Sequence, residues 1–100
     1  MPIHETARYR VKPEAREKCE TAVKEFIEYI GKHEPGTLVY TSLQEAEDAT
    51  SFLHYYIFAD EAARDRHGNG EGASRFTAIL YPELVGDVEF TEYQVVADKS

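Results

Sequence analysis

Ser51 to Ala59, SFLHYYIFA, restricts the fold more than any other stretch of this chain. Its side chains are apolar or aromatic at even and odd positions alike, so as a strand it needs cover on both faces. Asp60 stops the run. Its short carboxylate is suited to accept from the free amides of a first helical turn, which Glu61, Ala62 and Ala63 favour, and Gly68 closes that helix. The reading puts His54, Tyr56 and Phe58 on one face of the strand, with His67 about two helical turns beyond Asp60. A pocket is expected there.

The rest of the chain supplies the cover. Ile3 to Val11 alternates, with Ile3, Ala7, Tyr9 and Val11 on one face and His4, Thr6, Arg8 and Arg10 on the other, as in a half-buried strand. Pro13 and Glu14 open a long helix whose stripe is Ala15, Cys19, Ala22, Val23, Phe26, Ile27 and Ile30, with Gly31 as its expected end and His33 just past it. Pro35 and Gly36 announce a second strand, Thr37 to Leu43, with Leu38 and Tyr40 on one face and Val39 and Leu43 on the other. The acidic stretch from Gln44 to Thr50 reads as a solvated connection. Gly68 to Gly72, GNGEG, follows a helix and lacks the Gly-Lys-Ser/Thr ending of a phosphate loop, so it reads as a flexible link. Ala73, Phe76, Ile79, Leu80 and Leu84 mark a third helix, broken near its end by Pro82. Asp87 to Ala97 completes the set as a last strand.

Strand, helix, strand, strand, helices, strand is the split βαβ order of a ferredoxin-like α+β fold, an antiparallel βαββαβ sheet with its helices on one face. At 100 residues, 1–100 reads as a single domain. Leu53, Tyr55 and Ile57 then occupy a sheet face that no helix covers. A homodimer packed sheet against sheet is expected, since such a contact is isologous and closes on itself.

Charge narrows the partners. The net charge of −8 repels phosphate backbones and anionic lipid, so neither nucleic acid nor membrane is an expected partner. With no apolar leader and no membrane-length run, the chain reads as cytoplasmic. Cys19, the lone cysteine, falls in the helical stripe and reads as core. His4, His33, His54 and His67 show no ligand spacing, so no metal site is expected.

VKPEA at the first helix, HEPGTLVY entering the second strand, FADEAARDRH leaving the third and YPELVGDVEFTEYQVV near the end together resemble the antibiotic biosynthesis monooxygenase (ABM) family. These motifs span nearly the whole chain. The resemblance implies a dimeric α+β barrel and a monooxygenase that uses neither flavin nor metal, with dioxygen as co-substrate and a small aromatic, quinol or polyketide-like molecule as reductant. Haem-degrading relatives place an asparagine on the first strand, a tryptophan, and a histidine on the last helix. This sequence has no tryptophan, its one asparagine is Asn69, and the helix from Ala73 lacks histidine, so haem is disfavoured. Other members carry a second histidine and an aromatic where Gly72 and Ala73 stand here, and glutamate where Tyr56 stands.

The chemistry so implied needs a dry pocket, a base and donors for an oxyanion. His67 is the candidate base, because imidazole titrates near neutral pH. His54 and Tyr56 are candidate donors or orienters, and Tyr40, Phe58, Phe76 and Leu80 candidate walls for substrate. Each has a plainer reading beside it. His67 can cap helical carbonyls, and His54 and Tyr56 can be hydrogen-bonded core residues. A dimeric binding protein without turnover is the alternative function. An isomerase of a small phosphorylated carbonyl compound is a further one, with Arg64, Arg66 and Arg75 as its phosphate partners.

Overall fold

The computed structural model describes residues 1–99; Ser100, the last residue of the expected domain, lies outside the described residues. Strands β1 (Ile3–Arg10), β2 (Thr37–Gln44), β3 (Ser51–Phe58) and β4 (Glu89–Tyr93) form one antiparallel sheet in the order β2-β3-β1-β4. Helices α1 (Arg16–His33), α2 (Glu61–Gly68) and α3 (Glu71–Leu80) cover one face. This is the expected ferredoxin-like α+β fold. Among the described residues no helix is long and apolar enough to cross a membrane.

The register follows from which side chains need burial. Opposite Ile3, Ala7 and Tyr9 of β1 stand Phe58, His54 and Phe52 of β3, with Tyr56 opposite Glu5, so β3 turns its bulkiest side chains toward the helices. There they meet the stripe of α1, where Cys19, Ala22, Val23, Phe26 and Ile30 are buried, and Phe76 and Leu80 of α3. Cys19 is fully buried, as expected, and burial pushes its thiol pKa up.

Several boundaries differ from the sequence reading. Helix α1 passes through Gly31, whose position faces open space, and runs to His33. It stops at Glu34 because the residue before Pro35 is driven out of the helical region; Glu34 adopts φ −126° and ψ 74°. The glycine-rich stretch is no link. Gly68 belongs to α2, the chain turns at Asn69 and Gly70, and α3 begins at Glu71. Gly72 is buried inside α3, where an added Cβ would collide with the ring of Tyr29, so its bareness allows α3 to close on α1. Helix α3 ends at Leu80, where Pro82 tightens the chain into a 3-10 turn, Tyr81–Glu83, and Leu84 lies beyond it in an extended conformation. Finally, β4 covers only Glu89–Tyr93 of the strand expected from Asp87 to Ala97. Val95 and Val96 lie beyond it, exposed.

Gly36 is bare for the same kind of reason. A Cβ there would stand 2.6 Å from the Cβ of Ala63 on α2, a rigid neighbour that cannot swing aside. Gly36→Ala is expected to cost about 1–3 kcal/mol by forcing α2 away from β2. Urea unfolding checks this; a variant as stable as the parent would show that the two elements part easily.

Among the described residues no helix covers the second sheet face. By register it carries Val39, Thr41 and Leu43 on β2, Leu53, Tyr55 and Ile57 on β3, and His4, Thr6 and Arg8 on β1. Leu43 is 52% exposed and Tyr93, across from His4, also 52%. Leu38 sits at a register shift between Thr37 and Val39 and is itself exposed.

Candidate functional site

Between the helices and the sheet lies a cavity of about 250 Å³. All the residues named from sequence as catalytic candidates or substrate walls line it: His54, Tyr56 and Phe58 from β3, Tyr40 from β2, His67 from α2, and Phe76 and Leu80 from α3. The strand residues arrive by the period of two, which keeps 54, 56 and 58 on one face. His67 arrives because the Asp60 carboxylate accepts from the Ala63 amide at 2.8 Å, fixing where α2 begins and so which residues of its last turn point inward.

The two histidines differ sharply in their surroundings. His54 is 1% exposed and held at both ring nitrogens: the Tyr9 hydroxyl lies 2.9 Å from Nε2 and the Tyr40 hydroxyl 2.7 Å from Nδ1. Burial lowers its pKa from 6.5 to about 4, so it is neutral at physiological pH. A neutral imidazole has one donor and one acceptor nitrogen, so one tyrosine donates to it and the other accepts from it. The accepting tyrosine keeps its own hydroxyl proton. Tyr9 and Tyr40 both line the cavity. With both ring nitrogens held, His54 has none free to act as a base.

His67 is the reverse case. Its Nδ1 lies 2.7 Å from Oε1 of Glu34, and its ring packs near Phe26, Tyr40, Tyr56 and Phe58 with centroids 5.2–6.1 Å away. Nδ1 is thus taken, and Nε2 is the ring nitrogen left for a cavity occupant. Tyr56 donates its hydroxyl proton to Glu5 at 2.9 Å, while its ring stacks on Tyr40 at 5.0 Å with planes 7° apart. Burial and the Glu5 carboxylate both raise the Tyr56 pKa, and burial is the main cause of the rises at Tyr9 and Tyr40. These phenols stay protonated.

Glu5 and Glu34 are the residues the sequence reading missed. Both left a trace. Glu5 is a carboxylate on the otherwise apolar face of β1, and Glu34 is an acid immediately after a helix, where the dipole favours a cation. The three arginines weighed as phosphate partners do not converge. Arg64 lines the cavity and is paired with Glu92 at 3.1 Å, whereas Arg75 sits over the Tyr29 ring in a separate groove between α1 and α3. Among the described residues no group of three or more His, Cys, Asp and Glu side chains is placed to hold a metal ion.

Solved structures share this fold closely. An antibiotic biosynthesis monooxygenase is 23% identical with a TM-score of 0.88, the match covering 95% of this chain and 99% of that one. Rv0793 from Mycobacterium tuberculosis is 19% identical with a TM-score of 0.88 over the full length of both chains. PA3566 from Pseudomonas aeruginosa is 25% identical with a TM-score of 0.83, covering 96% of this chain and 95% of that one. No curated protein matches the sequence. The family model described as antibiotic biosynthesis monooxygenase matches residues 2–78, which takes in β1, α1, β2, β3, α2 and most of α3, with every residue lining the cavity except Leu80, Tyr81, Val88 and Phe90. The chain belongs to the antibiotic biosynthesis monooxygenase family.

Proposed function

We propose that the cavity takes a small aromatic, quinol or polyketide-like molecule and that the protein oxidises it with dioxygen, without flavin or metal, using His67 as base. The observation that carries this reading is the arrangement at His67: one ring nitrogen is tied to a carboxylate, and the ring belongs to the lining of an aromatic-walled cavity. Nε2 takes the proton of a substrate hydroxyl. The resulting anion gives an electron to dioxygen, and the substrate radical and superoxide combine to a peroxide anion on a substrate carbon that bears a hydrogen, which takes the proton back from Nε2 to become the hydroperoxide. Loss of water then leaves a carbonyl. One oxygen atom enters the product, the other leaves as water, and the substrate supplies the electrons. The hydroxyl of Tyr9 or Tyr40 that accepts from His54 offers its proton to the substrate oxygen, while Phe58, Phe76 and Leu80 exclude water.

The test is oxygen uptake by metal-stripped protein against hydroquinones and polycyclic phenols, with His67→Ala in parallel. Uptake that depends on His67 is expected. Saturable binding of such compounds without uptake would overturn the oxygenase reading in favour of a binding protein, and interconversion of isomers without uptake would do so in favour of an isomerase.

The same proposal includes a homodimer through the open sheet face. Val39, Leu43 and Tyr93 expose apolar surface there, beside the half-buried Leu53, Tyr55 and Ile57. Light scattering is expected to give twice the 11.4 kDa chain mass, and Leu53→Asp to give the monomer, because a carboxylate at the centre of that face would be buried unpaired. A monomeric parent protein would sink this part.

A further inference from the structure

We propose that Glu34 is the positioning residue of the site: its carboxylate holds His67 with the proton on Nδ1 and Nε2 bare toward the cavity, and offsets the imidazolium formed when substrate is deprotonated. The inference rests on the reading of His67 as base.

Glu34 breaks three rules of stable placement at once. It lies at the C-terminal end of α1, where the helix dipole disfavours a negative charge. Its side chain is only 10% exposed, and carboxylates are rarely buried unless paired. Oε2 is buried with no hydrogen-bond partner, so the charge is answered only at Oε1. Departures from local consistency of this kind concentrate at functional sites.

What is answered at Oε1 is specific. Thr37 donates its hydroxyl there at 3.0 Å, and its amide donates to the Glu34 carbonyl at 3.1 Å, so the turn from α1 into β2 locks both backbone and carboxylate. The second partner is His67 Nδ1 at 2.7 Å. A carboxylate accepts only, so while the imidazole is neutral its single proton must be on Nδ1. That leaves the lone pair on Nε2. Other groups around the ring do not compete: Tyr56 donates its hydroxyl hydrogen bond to Glu5, the Tyr40 hydroxyl is paired with His54, Arg64 is held by Glu92, and Phe26 and Phe58 are apolar. Base, orienting carboxylate and reacting atom then stand in the order that catalytic triads use.

A bond that merely staples α1 to α2 would affect folding and leave the chemistry alone, so the test reads both. Long-range proton–nitrogen NMR on the parent protein, with the ring assigned by its loss in His67→Gln, is expected to show neutral His67 protonated on Nδ1. In Glu34→Ala the proton is expected to move to Nε2, the site imidazole prefers in water. With whichever phenol gives the fastest uptake, Glu34→Ala is expected to lower kcat at least about tenfold with KM within about twofold, and added formate to restore part of the loss. Should Glu34→Ala not fold, Glu34→Gln fills the same space and is expected to lose kcat likewise, because a neutral amide cannot offset an imidazolium. A parent His67 protonated on Nε2, or parental kcat in these variants, would overturn the proposal. Absence of uptake by the parent protein with every phenol would overturn the oxygenase reading instead, and the tautomer would still decide what Glu34 does.

Discussion

Between pH 7 and pH 4.5 the folded protein is expected to lose about 2 kcal/mol of stability through one residue, His54. Its pKa is about 4 in the folded chain against 6.5 for an ordinary histidine, and the cause is burial. Above pH 6.5 neither state binds the proton. As the pH falls below that, the unfolded chain takes up a proton that the folded one refuses, so unfolding gains; the loss is complete near pH 4, at about 3 kcal/mol. Urea unfolding across this range reads the effect directly. The control is His54→Gln, which cannot titrate and whose amide offers Tyr9 and Tyr40 both a donor and an acceptor. Its stability is expected to fall by about 2 kcal/mol less than the parent's over the same interval. Asp48, Glu20 and Glu83, whose pKa values are lowered by hydrogen-bonded partners, add losses at lower pH that are common to both proteins and cancel in the difference. Equal pH dependence in parent and variant would mean that His54 binds its proton without opening the Tyr9 and Tyr40 contacts.

His67→Ala is expected to lower kcat for the best phenol by about 10²–10⁴-fold, the range by which a positioned base accelerates proton transfer. It also leaves the Glu34 carboxylate with Thr37 as its remaining side-chain donor, so a fall in stability is expected beside the fall in rate. His67→Gln separates the two. A glutamine keeps a donor within reach of Glu34 and has no basic nitrogen, so its stability is expected to recover most of the loss while its turnover does not. Activity of His67→Gln near the parental rate would show that substrate ionises without this residue. Stopped-flow oxygen consumption under saturating substrate, with unfolding curves on the same preparations, distinguishes these results.

Much of the molecule was legible in the order and period of its residues. The alternation of β1, the stripe of α1 and the two-sided β3 lead to the observed sheet, because burial of one face fixes register and a residue's face follows from its number. The same period put His54, Tyr56 and Phe58 together, and the Asp60 cap brought His67 to them. Boundaries were less legible. Gly31 and the run from Gly68 to Gly72 look alike as helix breakers, yet a glycine tolerated on an exposed helical face and one required by the closeness of Tyr29 differ only in what stands opposite, and that lies far away in the chain.

Roles were least legible of all. Sequence alone determined that two histidines and several aromatics would face one side of a sheet; it left His67 open as a base or a helix cap and His54 as a donor or a core residue. Only the tertiary structure separated them, enclosing His54 between Tyr9 and Tyr40 and giving His67 a carboxylate on one nitrogen alone. Those partners come from β1, β2 and the end of α1, at separations of 14 to 45 residues. Periodicity reports which way a side chain points along its own element. Hydrogen bonding and desolvation depend on what other elements bring within 3 Å, and these contacts decide which nitrogen can hold a proton.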